Sequence, residues 1–370
     1  MKKKILFLIH DLHQGGAEKV LVNLVNNMDP EQFDITVTAL FGGGVNEQFL
    51  KPHIRFRAIY PRPFPGNSHV MKLLSPRQLH KLYIREHYDV EVAYLEGPAS
   101  RIISGCTDPG TKKVCWIHCT MKSEKALAVG FRSVAEARAC YSRFDRGVFV
   151  SKGVMDAFRA YCPLTQIQVL YNTNESDRIL EMAAEDAALP AAGFRWCGVG
   201  KLVEIKCFDR MLRIQKHLHE QGYDAHFLAL GEGPLRPELE HYVRENGLSE
   251  CVTFLGYQTN PYKYVAKCDL FVCASFAEGF STAATEALIV GTPVCTVEVS
   301  GMKEMLGDHN EWGIVTENGE EALYAGIKSL LDDPELLHSY KQKAKVRGRN
   351  FSTEHTTKAV EGMLNDLLRS

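Results

Sequence analysis

No stretch of this 370-residue sequence approaches the roughly 18 consecutive apolar residues that a membrane-spanning helix needs. The N-terminus, MKKKILFLIHDLHQGG, has the lysines of a secretory leader. Its apolar run, Ile5–Ile9, stops at His10 and Asp11, short of the roughly 7–15 residues of an h-region. The first residues are therefore expected to open a cytoplasmic protein as its first strand. The eleven cysteines are odd in number, and no two stand at C-x-x-C spacing. Reduced thiols used as small core residues are expected, in place of a disulfide framework or a zinc site. Cys115, His118 and Cys119 lie close together, but no second ligand pair stands at zinc spacing. Neither a G-x-G-x-x-G nor a P-loop occurs, which argues against a dinucleotide dehydrogenase or an ATPase. Low-complexity tracts and repeats with a period of about 20–50 residues are also absent.

The composition is that of an ordinary globular protein, 45% hydrophobic and 24% charged, and the length suits two domains. Apolar, β-rich runs alternate with helical patterns. In the first half the runs are Ile5–Ile9, Ile35–Phe41, Val90–Leu95, Val114–Ile117, Val148–Val150 and Ile167–Leu170. In the second they are Trp196–Val199, Ala225–Leu230, Val252–Leu255, Leu270–Ala274, Pro293–Val297 and Gly313–Val315. Unbroken apolar strands between helices predict parallel sheets covered on both faces, an α/β class with two doubly wound domains. The expected boundaries are a first domain over 1–172, a linker over 173–194 that is polar and then Ala-rich, and a second domain over 195–354. The closing helix, 355–370, is expected to return to the first domain. Ligands of such domains bind beside the carboxyl ends of the strands.

Net charge is −2 but unevenly spread: +8 over residues 1–170 and −10 over the remainder. The basic half suits a phosphate-bearing substrate or anionic lipid as well as a merely solvated surface. Residues 69–88 carry basic side chains interleaved with apolar ones, a pattern shared by interfacial helices and ordinary surface helices.

Four places carry the polar groups for chemistry. His13-Gln14-Gly15-Gly16 follows the first strand and opens a helix whose N–H groups attract an anion. Lys201 and Lys206 bracket the loop after the first strand of the second domain and suit a diphosphate. His118 ends one strand and Glu96 the neighbouring one, in the same mouth. The fourth is FAEGFSTAATEALIVGTPV, Phe276 to Val294. Glu278 stands there before a helix that Ser281 or Thr282 caps, while Glu286 lies more than one turn inside it. Such spacing suits two contacts along one elongated ligand better than a hydrolase's paired carboxylates.

The order GGAEK, YLEG, WIH, VGKLVEIK, LGEGPLRPEL, VTFLGY, EGFSTAATE and VSGMKEML resembles the retaining glycosyltransferases of family 4, with their E-x7-E motif and GT-B fold. The likeness covers nearly the whole chain and is greatest to enzymes of bacterial capsule, exopolysaccharide and lipopolysaccharide assembly. It implies two Rossmann-like domains facing a cleft, the N-terminal one for the acceptor and the C-terminal one for the nucleotide sugar. Glu278 would contact the donor sugar's hydroxyls and Glu286 the ribose. Lys201 and Lys206 would neutralise the diphosphate, which Gly15 and Gly16 would approach. His118 would bond the sugar, Gly279, Phe280 and Ser281 would hold sugar and phosphate, and Gly231 and Tyr257 would complete the nucleotide site. Glu96 would lie on the acceptor side. Two positions depart from the family: Lys201 stands where arginine is usual and loses its bidentate fork, and Cys207 replaces a glycine. No D-x-D occurs, which fits a fold that neutralises diphosphate without a metal. The resemblance implies no cofactor and no nucleic acid. It implies a UDP-sugar donor, a saccharide or lipid-diphosphate-linked acceptor, and work at the inner face of the cell membrane. An epimerase or hydrolase of the same fold and a non-catalytic sugar-binding protein are the competing readings.

Overall fold

A computed structural model describes residues 2–13 and 15–369, without the side chains of residues 68–70. Gln14 of the HQGG turn, and the side chains of His69 and Val70 in the basic stretch, lie outside the described residues. The chain divides into two compact units, residues 1–174 with 353–370, and residues 175–352.

In the first unit the strands are β1 (Lys3–Ile9), β2 (Phe33–Phe41), β3 (Arg55–Tyr60), β4 (Val90–Tyr94), β5 (Lys112–Ile117), β6 (Arg146–Phe149) and β7 (Ile167–Val169). They form one sheet in the order β3-β2-β1-β4-β5-β6-β7, and every pairing is parallel. In the second unit the strands are β8 (Phe194–Val199), β9 (Ala225–Leu230), β10 (Val252–Gly256), β11 (Leu270–Cys273), β12 (Val294–Val297) and β13 (Ile314–Thr316). Their order is β10-β9-β8-β11-β12-β13, again all parallel. Both units are thus Rossmann-like, and in each the order reverses beside the first strand, at β1/β4 and at β8/β11. That reversal opens a crevice at the carboxyl ends of those strands.

The strands form where the apolar runs predict them, because a central parallel strand must be apolar on both faces. Leu6, Phe7, Leu8 and Ile9 of β1 are fully buried, as are Trp196, Cys197, Phe227 and Leu228 of β8 and β9. The strand missing from the sequence reading is β3. It is one of the two edge strands, its side chains are at most half-buried, and its alternating RFRAIY has no continuous apolar run. A second omission is the 15-residue helix Pro334–Gly348, which opens on Pro334 with Asp333 as its N-cap. The segment read as a linker carries helix Ser176–Ala183, which packs on the helices Tyr262–Val265 and Thr282–Ile289 of the second unit. The closing helix, Thr353–Arg369, packs on helix Gly16–Asn27, and Glu361 accepts the Asp29 N–H at 2.6 Å. All eleven cysteines are free thiols.

Residues 61–88 form two short helices, Asn67–Leu73 and Pro76–Tyr83. Met71, Leu79, Tyr83 and Ile84 point into the core, while Leu73 and Leu82 are exposed. Arg101, 1% exposed, fastens this segment from below. Its guanidinium donates to the Met71 and Leu74 carbonyls, each at 2.8 Å, and pairs with Glu136 at 2.9 Å. Removing this buried cation strands both carbonyls and takes the closest cation from Glu136, which keeps the Arg132 N–H at 2.7 Å, a loss of about 3–5 kcal/mol. Arg101→Ala should therefore lower the unfolding free energy measured in urea by about 3 kcal/mol or more. A loss below about 1 kcal/mol, the worth of a surface pair, would contradict this account of the segment.

Candidate active site

The second unit gathers its polar groups around the carboxyl ends of β8 and β11. After β8 the chain runs through Gly200 and Lys201 to a single turn of 3-10 helix, Glu204–Lys206. Cys207 follows in the left-handed region (φ 52°) and begins helix Phe208–Glu220. A left-handed residue is what glycine usually supplies, so Cys207 keeps the backbone path while burying its thiol. That path returns Lys206 toward β11. Lys206 Nζ lies 2.6 Å from Glu278 Oε1, and the same oxygen accepts the Ser275 hydroxyl at 2.7 Å. The Glu278 side chain is only 11% exposed. Lys206, Phe208, Cys273, Ser275, Glu278 and Ser281 line one small cavity. An ammonium has three donors, so a single bond to Glu278 leaves hydrogen-bonding capacity for an anion.

Helix Thr282–Ile289 starts beside this pair, and the Ser281 hydroxyl accepts the Ala284 N–H as its N-cap. Phe280 is buried against Phe351, with ring centroids 5.8 Å apart. Gly279 and Phe280 press on Gly301, where an added Cβ would lie 2.7 Å from the Phe280 ring and 3.1 Å from the Gly279 carbonyl. One turn on, Glu286 is buried and accepts the Tyr262 hydroxyl at 3.1 Å. Glu278 and Glu286 are thus held by different partners at different places along the element.

Lys201 is exposed and forms no ion pair among the described residues, so of the two lysines it is Lys206 that reaches Glu278. Tyr257 follows β10 and is exposed. Gly231 has a local structural reason to lack a side chain: its φ is 143°, and a Cβ would lie 1.8 Å from the Gly200 carbonyl. Sequence reasoning missed three residues here. Ser275 orients Glu278. Tyr262 orients Glu286. Arg210, buried, donates to the Ala274 carbonyl at 3.2 Å and to Asn318 at 2.9 Å, which fixes the end of β11. None lies in a recognisable spacing with its partner, apart from Ser275 three residues before Glu278.

In the first unit the mouth lies at β1, β4 and β5. Gly15 caps helix Gly16–Asn27 in an extended conformation, and the Glu18 carboxylate folds back over it. A Cβ on Gly15 would meet that carboxylate at 2.0 Å, whereas one on Gly16 would meet nothing. Burial, with the charge of Asp11, raises Glu18 above the usual carboxylate range, against the pull of its own N–H. Asp11 bridges two imidazoles, His10 at 2.7 Å and His13 at 3.0 Å. Burial opposes its charge, but the His13 N–H and both imidazoles outweigh that and hold Asp11 low.

His118 follows β5 and is 8% exposed. Its N–H donates to Glu96 at 3.0 Å, which brings these two predicted residues together. Its ring packs on Tyr94, with centroids 4.7 Å apart. His118 Nε2 has no hydrogen-bond partner among the described residues. Burial alone drives the imidazole down to about 3, so it is neutral at physiological pH. Leu95, between Tyr94 and Glu96, has φ 131°, a strained conformation for leucine. Strain of this kind costs of order 1–3 kcal/mol and clusters at functional sites.

Comparison with known proteins accords with the two-unit parallel-sheet fold. Residues 14–178 match the model of the family described as "Glycosyltransferase Family 4", and residues 192–347 that of "Glycosyl transferases group 1". The chain is similar to the N-acetylgalactosamine-N,N'-diacetylbacillosaminyl-diphospho-undecaprenol 4-alpha-N-acetylgalactosaminyltransferase of Campylobacter jejuni, 28% identical over 94% of this chain and 96% of that protein. Among solved structures, Anabaena HepE in complex with UDP superposes with TM-score 0.76 at 19% identity, over 99% of this chain and 100% of HepE. Sucrose-phosphate synthase of Thermosynechococcus elongatus superposes with TM-score 0.80 at 16% identity, over 100% of both chains. These two likenesses concern the fold.

The burial of His118 carries a consequence for stability. The folded imidazole takes a proton only near pH 3, whereas an unfolded histidine takes one near 6.5. Between those values the unfolded state binds more protons, so His118 costs stability as pH falls below 6.5 and none above it. The slope is at most about 1.4 kcal/mol per pH unit. The unfolding free energy of the native chain should therefore fall faster than that of His118→Asn between pH 7 and 4.5. Parallel pH profiles for the two would contradict a buried neutral His118.

Proposed function

We propose, for a chain that belongs to the family 4 glycosyltransferases of the GT-B fold, a retaining, metal-independent transfer of a hexose or N-acetylhexosamine from a UDP-sugar. The acceptor is a hydroxyl of a saccharide carried on a lipid diphosphate, and the reaction builds a bacterial cell-surface polysaccharide at the inner membrane face. The Lys206–Glu278 contact of 2.6 Å in a small cavity at the ends of β8 and β11 carries the reading. Breaking a glycosyl–phosphate bond gathers negative charge on the leaving diphosphate and positive charge at the anomeric carbon. A pre-placed ammonium stabilises the first without reorganising during the reaction. Glu278 holds that ammonium, and in this reading it also meets the sugar's hydroxyls. The exposed Lys201 adds charge at the same loop, Glu286 takes the ribose, and Gly279 to Ser281 take sugar and phosphate. Gly231 and Tyr257 belong to the nucleotide side, and Gly16, where a Cβ would meet nothing, to the diphosphate, while the Glu18 carboxyl group covers Gly15.

Glu278 is engaged by Lys206 and Ser275, and the mechanism gives it no nucleophilic role. Retention then follows from attack on the face the diphosphate leaves, with a departing phosphate oxygen taking the acceptor's proton. His118, neutral at assay pH, offers Nε2 to a hydroxyl of the sugar. UDP is favoured because HepE, of the same fold, holds UDP. The lipid-diphosphate acceptor is favoured by the Campylobacter relative, whose name gives a diphospho-undecaprenol substrate. The +8 charge of residues 1–170 suits such a diphosphate at an anionic membrane.

A panel of UDP-sugars assayed for nucleotide release tests the reading. Release should depend on acceptor, and a lipid-diphosphate-linked saccharide should outperform the free saccharide. Added magnesium or manganese should change nothing. Lys206→Ala and Glu278→Gln should each lower kcat/KM by about 10²–10³. NMR of the product should show the donor's anomeric configuration. Acceptor-independent release, or an inverted product, would overturn the proposal.

A further inference from the structure

The core of the first unit contains a side-chain cluster that the transfer reaction does not use. Glu91 sits on β4, a central strand, and is 2% exposed. It aligns with Leu6 of β1 and lies two residues before Ala93, both members of the apolar layer beneath helix Pro76–Tyr83. A carboxylate in that layer costs several kcal/mol unless it is closely matched. His80 reaches down from the helix, and its Nε2 lies 2.8 Å from Glu91 Oε2. Cys106, 7% exposed, arrives from the turn after helix Pro98–Ile103. The imidazole nitrogen, carboxylate oxygen and thiol sulfur all lie within 4.8 Å of one another.

The approach of these elements is enforced by backbone. A Cβ on Gly105 would lie 2.1 Å from the Pro76 carbonyl, so only glycine lets the Cys106 turn press against the start of the His80 helix. The His80 side chain is 15% exposed, which gives an ion a path from solvent.

We propose that His80, Glu91 and Cys106 form a binding site for a divalent transition-metal ion of zinc type. One imidazole, one carboxylate and one thiolate are the donor set such ions take, with a water as fourth ligand. Tetrahedral bonds of about 2.0–2.3 Å place ligand atoms roughly 3.2–3.7 Å apart, within the reach of this cluster. An imidazole nitrogen, a carboxylate and a thiolate bring two negative charges to M²⁺, so the loaded site is neutral in a low-dielectric core. Binding forms three protein–metal bonds, and any proton on the imidazole or the thiol leaves to solvent. No oxidant or reductant takes part. The ion would tie helix Pro76–Tyr83 and the Cys106 turn to the sheet.

Cobalt(II) is the probe. Full-length protein, stripped with chelator and kept reduced, is titrated with Co²⁺ and followed by absorption. One equivalent should bind, with tetrahedral ligand-field bands in the visible and a thiolate-to-cobalt charge-transfer band in the near ultraviolet. Cys106→Ser should remove the charge-transfer band. Glu91→Gln should weaken binding by more than the about 10- to 100-fold that loss of an outer-shell partner causes, and Cys119→Ser should leave both signals intact. Circular dichroism confirms that each variant is folded, and zinc should displace the cobalt. Absence of stoichiometric binding, a spectrum without the thiolate band, or a band that persists in folded Cys106→Ser would overturn the proposal.

Discussion

Parallel pairing is the constraint on which both units depend. A parallel strand needs a crossover, and the crossovers cover both faces of the sheet, so the strands can be little but apolar. Polar groups then collect where the strands end. In the second unit Lys206, Ser275 and Glu278 meet beyond β8 and β11, the two neighbours between which the strand order reverses. In the first, Asp11, Glu96 and His118 follow β1, β4 and β5. The same topology that builds the cores thus decides where chemistry takes place.

The two mouths solve opposite electrostatic problems. Around Lys206 a cation is held ready by a carboxylate that is itself hydrogen-bonded by Ser275, so the ammonium is aimed before an anion arrives. Around His118 the ring is kept neutral by burial, which gives a hydrogen-bonding nitrogen without a charge. In the proposed reaction the first would meet the developing diphosphate and the second a sugar hydroxyl. The Glu18 carboxyl group over Gly15 adds a third feature: the helix start read as an anion site is covered by a side chain of the chain's own.

The sequence made the central strands legible because burial on both faces leaves a continuous apolar run. It hid β3 because an edge strand alternates and carries arginines. The E-x7-E stretch placed Glu278 before a helix and Glu286 inside it, with Ser281 or Thr282 as cap, since capping is a local signal, and the structure uses Ser281. Their partners were not legible. Tyr262 and Glu286 are 24 residues apart, and Lys206 and Glu278 are 72 apart, joined only by the fold. Cys207, which replaces the family's glycine, adopts the left-handed turn that glycine would give. The His80, Glu91 and Cys106 cluster left no motif, because its three members come from a helix, a strand and a turn.

The central claim is that Lys206, held by Glu278, receives the donor's diphosphate. Calorimetric titration of native chain and Lys206→Ala with UDP, referenced to uridine, tests it most directly. A charge-assisted contact with phosphate predicts about 10-fold or more weaker UDP binding in the variant, with the affinity for uridine nearly unchanged. Equal UDP affinities for the native chain and folded Lys206→Ala would contradict the account.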